Sequence, residues 1–153
     1  MSDNPSRHAV PASPGAGPEQ AGSSRVRDLL WSWAPLVLFM AVIFTGSSFS
    51  HLPDVPGGFS DKTEHASEYA VLGVLFVRAL AGRRWLSPTL GCVIAAACLA
   101  TLYGVSDEFH QLFVPDRDFD VRDMMADAFG ASISAGGLWA WGIIRRFFRL
   151  RSR

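Results

Sequence analysis

Three short stretches gather ionisable side chains at spacings suited to chemistry. Asp61, Lys62, His65, Glu68 and Tyr69 open one segment, Asp107, Glu108, His110 and Gln111 close another, and Arg117, Asp123 and Asp127 follow. At about 100° per residue, Asp61, His65 and Glu68 share one narrow arc of a helix. Tyr103, Asp107 and Gln111 form a second stripe, continued by Ala100 and Gly104, and Asp123, Asp127, Gly130, Ser134 and Gly137 form a third. Imidazole and carboxylate groups brought together from separate helices are donors for a divalent cation, which would activate water. His65, Asp107 and His110 are the leading donors, with Glu68, Glu108 and Asp123 beside them. The pattern contains neither an H-E-x-x-H helix nor a nucleophile elbow. The same residues suit a second role, in which Lys62, Arg117 and Tyr69 hold the phosphate or carboxylate of a head group. In a third, the charges pair only with one another and fix helix packing. A binding protein, a metal-dependent hydrolase or transferase acting on a lipid-linked substrate, and a purely structural cluster are therefore the three readings of this site.

The elements that must position these groups are apolar. Hydrophobic residues make up 49% of the 153-residue chain. Four apolar runs, about 31–49, 64–82, 88–106 and 125–144, each approach the ~20 residues that cross a hydrocarbon core. The expected architecture is all-α: a four-helix transmembrane bundle with a short interfacial helix or loop between the third and fourth helices. Phe109, Leu112, Phe113 and Val114 suggest the interfacial helix, stopped by Pro115. Asp118 or Asp120 is placed to cap the last helix. Residues 1–28 read as a disordered cytoplasmic tail rich in Pro, Gly and Ser, 29–145 as the membrane domain, and 146–153 as a basic cytoplasmic tail. Cys92 and Cys98, six residues apart in an apolar run, read as small core residues and not as a disulfide.

Charge sets the orientation. Lys62 is the only lysine among the 14 basic residues. The N-terminal segment, the 78–84 turn and the C-terminus carry all the arginines except Arg117 and Arg122. The positive-inside rule then puts both termini in the cytoplasm of a multi-pass membrane protein. Arginines spread along one membrane face argue against nucleic acid as a partner. Counting back from Arg83, Glu68 lies about 6 Å inside the apolar layer at the outer boundary. An ionisable group at that depth is a functional candidate by default.

These residues resemble the VanZ-like family of small bacterial membrane proteins. Its D-K-x-x-H-x-x-x-Y opening is supplied by Asp61, Lys62, His65 and Tyr69, and its D-E-x-x-Q by Asp107, Glu108 and Gln111. Its P-G-R turn is met by Pro115 and Arg117, with Asp116 where glycine is usual. Its last motif is met by Asp123, Asp127 and Gly130, with Asp127 where asparagine is common. The similarity runs from about Phe44 to Gly137. It implies a protein of the bacterial cell membrane associated with low-level teicoplanin resistance. The implied partners are membrane lipids, an envelope lipid precursor or the glycopeptide itself. No cofactor is implied beyond a possible divalent metal.

The arginine distribution makes a prediction. In intact cells, Gly57→Cys and Asp116→Cys should react with an impermeant thiol reagent and Ser87→Cys should not. The opposite labelling pattern would invert the orientation.

Overall fold

The computed structural model describes residues 18–50 and 60–152. Residues 1–17, the segment 51–59 with Gly57, and the side chain of Asp61 lie outside the described residues. Four helices account for most of the rest: α1 Pro18–Ser47, α2 Asp61–Ala81, α3 Leu90–Gln111 and α4 Val121–Arg151, with a 3₁₀ turn at Gly82–Arg84 after α2. The all-α expectation holds. The first helix starts at Pro18, inside the stretch read as tail, and α4 continues to Arg151 and carries Arg145, Arg146, Arg149 and Arg151 with it.

Local chemistry explains where the helices begin and end. The Thr89 hydroxyl accepts a bond from Cys92 N at 3.2 Å, and Asp120 accepts one from Arg122 N at 2.8 Å, so Asp120 is the N-cap of α4. Gly82, at φ 54°, lets the chain leave α2 in a conformation that a side chain would strain. No separate helix joins α3 to α4: α3 runs on through Phe109 to Gln111, and a loop follows. Within it, Arg117 N donates to Val114 O at 3.3 Å, with Pro115 second and Asp116, at φ 60°, third. That is the pattern of a type II turn, in which proline presets the second position and the third must be left-handed. Aspartate tolerates that region better than most residues, so the turn survives without glycine.

Proline also shapes α1. Pro35 lacks the N–H that would bond the carbonyl of Trp31. Arg78 of α2 fills the vacancy, donating from Nη2 to Trp31 O at 2.9 Å, while its guanidinium carbon lies 5.0 Å from the centroid of the Trp31 ring. One arginine thus repairs the helix that the proline interrupts and ties α2 to α1.

Helices α2 and α4 form the most extensive contact, α3 packs on both, and α1 rests mainly on α2. α2 and α4 run parallel, since Lys62 meets Asp123, His65 meets Asp127 and Gly73 meets Ala131 in step. Small residues permit this approach. A Cβ on Gly130 would collide with the carbonyl oxygen of Ala66, and one on Gly73 would lie 2.8 Å from the carbonyl of Ala131. The core between the helices is built from Leu72, Val77, Ala96, Ala100, Ala131 and Ala135.

The surface is more apolar than the interior is dry. Leu38, Leu102 and Phe129 are 68%, 62% and 63% exposed, whereas Glu108 and Asp127 are each 1% exposed. Among the described residues two helical segments, Val26–Ser47 and Leu90–Gln111, are long and apolar enough to cross a membrane by length and composition. The other two fall short because α2 opens with a run of charges and α4 is diluted with Gly, Ser and Trp. Cys98 is exposed on α3, and Gly137 has open space where a Cβ would stand, so neither lies in the core. An apolar run does not reveal which of its faces is buried when the outer surface is apolar too.

Close α2–α4 packing predicts that Gly130→Ala lowers stability by about 1–3 kcal/mol or more, since backbone must move. Gly136→Ala, which meets nothing within 4 Å, should be neutral or slightly stabilising, and thermal melts in detergent distinguish the two.

Candidate functional site

The polar residues meet at the end of the bundle where α2 and α4 begin and α3 ends. His65 pairs through Nδ1 with Oδ1 of Asp127 at 3.0 Å, with the carboxylate almost wholly buried. Gly104 of α3 makes room for this pair: a Cβ there would lie 2.7 Å from Asp127 Oδ2 and 3.0 Å from Cε1 of Tyr69. Tyr69 is buried, and its hydroxyl has no hydrogen-bond partner among the described residues.

Above this pair, Lys62 reaches Asp123 Oδ1 at 2.9 Å and Asp120 Oδ2 at 3.3 Å. The hydrogen bond to Asp123 is the main reason that the Lys62 ammonium is held above its ordinary value. Asp120 is held below its ordinary 3.8, first by the Arg122 backbone N–H and then by Lys62. Its second partner is structural, since Asp120 N donates to Glu108 Oε2 at 3.0 Å. Glu108 is thereby fixed by the N-cap residue of the neighbouring helix.

On the α1 side the ionisable groups border an open space. A cavity of about 280 Å³ is lined by His65, Glu68, Asp107, Gln111 and Arg117, with Ser47 of α1 closing one wall. Ser47 is buried and donates to Asp107 Oδ1 at 2.7 Å, and Gln111 Nε2 lies 3.5 Å from Asp107 Oδ2. Arg117 donates from Nε and Nη2 to the carbonyl of Phe49, both at 3.3 Å, so it clamps the end of α1.

The expected residues therefore divide into two compartments with His65 between them. His65, Glu68, Asp107, Gln111 and Arg117 share the cavity. Lys62, Glu108, Asp123 and Asp127 form a closed cluster toward α4, and Asp61 is not described. Of the expected metal donors, His110 is turned away: its ring stacks on Phe44 at a centroid distance of 4.3 Å, and Nε2 lies 3.0 Å from the Ser48 hydroxyl. Asp107 is engaged by Ser47. His65 instead stands with Glu108 and Asp123, whose donor atoms lie within 4.8 Å of one another. One imidazole and two carboxylates from three helices match the donor set of open divalent sites. The Nδ1 bond to the Asp127 carboxylate fixes such an imidazole and puts its lone pair on Nε2. In the structure the Lys62 ammonium supplies positive charge to this cluster. Glu64, from the charged opening of α2, also lines the cavity, whereas Ser47 was not among the residues expected from the sequence. The serine run ending α1 was the available signal for Ser47.

An all-α fold with two apolar helices long enough for a membrane among the described residues, and buried carboxylates of α3 and α4 meeting His65 of α2 at one end, defines a small membrane-type bundle with a polar end chamber. The VanZ/LLP1 family model matches residues 29–145, and the chain belongs to that family. No curated protein and no solved structure matches the chain.

The cluster predicts a divalent-cation response. Zn²⁺ or Mn²⁺ should raise the thermal midpoint of the purified protein by several degrees, because a ligand bound only by the folded state stabilises it. Glu108→Gln should abolish the rise and Asp107→Asn should leave it. Loss in Asp107→Asn alone would move the cation into the cavity.

Proposed function

We propose that this VanZ/LLP1 protein crosses a bacterial cytoplasmic membrane four times, with both termini in the cytoplasm. In this reading the polar chamber faces outward and handles a cell-envelope lipid or a lipidated glycopeptide of the teicoplanin type. The observation that carries the proposal is the cleft between α2 and α4. It is an open groove of about 670 Å³, is lined chiefly by apolar and small residues such as Ala70, Met125, Ala126, Phe129 and Ile133, and has Lys62 in its wall. An acyl chain fits such a lining, and the ammonium beside it suits an anionic group at the membrane boundary. The exposed apolar surfaces of all four helices support four spans, since in water they would form patches far larger than soluble proteins tolerate.

A cation-assisted reaction on the same class of amphiphile is the second reading. The His65–Glu108–Asp123 arrangement favours it, because three protein donors leave coordination positions for water or substrate.

Growth of a susceptible bacterium tests the first reading. Expression of the chain should raise tolerance to teicoplanin more than to vancomycin, which lacks the acyl tail. Ala126→Phe, which fills the cleft, and Lys62→Ala should remove the effect at equal membrane abundance. Protection undiminished in both well-folded variants would make the cleft irrelevant, and equal protection against the two antibiotics would remove the acyl chain from the account.

A further inference from the structure

The opposite end of the bundle carries a second built pocket, and it is basic. Arg27 of α1, Arg78 of α2 and Arg83 of the following turn surround a cavity of about 390 Å³, walled by Trp31 and Trp85. Among the described residues Asp28 is the one acid in its lining, so three described guanidinium groups face one carboxylate. That carboxylate is loosely engaged, at 3.4 Å from Arg83 Nη1, with both side chains largely in the open. Arg78, in contrast, is oriented by the Trp31 carbonyl and ring. The pocket thus has one fixed guanidinium and two adjustable ones.

A second cavity, of about 440 Å³, adjoins it along the α1–α2 surface. The two share Asp28, Ser32, Gly82 and Arg83, and the second is lined by Leu29, Trp33 and Leu80. A basic cup that continues into an apolar groove has the form of an amphiphile with an anionic head. Its position at the arginine-rich end of apolar helices is where a membrane presents such head groups.

We infer that this is a binding site for an anionic phospholipid, with the phosphodiester in the arginine cup and an acyl chain along the groove. Guanidinium forks match phosphate oxygens, and basic pockets between membrane helices hold lipid head groups. The site is separate from the carboxylate chamber and independent of whatever that chamber handles. By anchoring on both α1 and α2, the lipid would reinforce the tie that Arg78 makes across the break at Pro35.

Native mass spectrometry of the full chain, released from neutral detergent with phosphatidylglycerol and phosphatidylcholine in competition, tests it. The first bound lipid should be phosphatidylglycerol, and each lost arginine should weaken that preference about fivefold. Arg27→Gln and Arg83→Gln, both at exposed positions, should show this loss with an unchanged thermal midpoint. Arg149→Gln with Arg151→Gln removes equal charge from the exposed end of α4 and should leave the preference intact. No preference in the wild type, or equal loss in the two sets of variants, would reduce the cup to general surface attraction and overturn the proposal. Displacement by free glycerol phosphate at the lipid's own concentration would show a phosphate site without an acyl groove, and would overturn it equally.

Discussion

The carboxylate of Asp127 sets the terms for the whole bundle. It is buried between three helices and takes its nearest positive or donating partner from His65 across the α2–α4 contact, at 3.0 Å. Taking a carboxylate out of water costs several kcal/mol, and leaving it without its partner is strongly destabilising. The pair forms only if α2 and α4 approach closely, which needs the bare backbone at Gly130 against Ala66. It also needs space on the third side, which Gly104 provides. The parallel register, the small-residue seam and the position of Tyr69 all follow from housing this one group.

A similar economy appears at the other end. Pro35 leaves the Trp31 carbonyl without its helical donor, and in an apolar surrounding such a group is costly. Arg78 answers with one N–H and lays its guanidinium against the Trp31 ring. Both ends therefore join helices through a polar contact, buried at Asp127 and exposed at Trp31, while the middle relies on alanine and leucine. This division leaves polar atoms grouped at two depths, where they border cavities, and it explains why the cavities with ionisable linings lie at the ends.

The chamber itself is divided by function of its parts. Ser47, Gln111 and Arg117 spend their hydrogen bonds on closing the α1 side, through Asp107 and the Phe49 carbonyl. Lys62, Asp120 and Glu108 close the α4 side, with Asp120 serving at once as helix cap and ion-pair partner. His65 touches both halves. A change at either side has a route to the imidazole, because each half reaches it within one or two contacts.

Much was legible in the order of residues because it depends on local periodicity. The four helices and the gathering of His65, Asp107, Asp123 and Asp127 at one end follow from apolar run length and the 3.6-residue repeat, and a cap was legible at Asp118 or Asp120, between which the structure selects Asp120. A turn at Pro115 was legible too, but its type II form, with Asp116 at positive φ, was decided by the fold. Facing and partnership were not legible. Periodicity puts His110 near His65 in depth, but the end of α1 captures it through Phe44 and Ser48, a contact between residues more than sixty positions apart. Glu108 enters the cluster because the first residue before α4 donates a backbone N–H to it, and Cys98 faces outward because the exterior is as apolar as the core. The sequence by itself determined which groups share a depth, since rise per residue is a property of one helix. Only the tertiary structure decided which of them meet, since that depends on where two helices without side chains at Gly104 and Gly130 can touch.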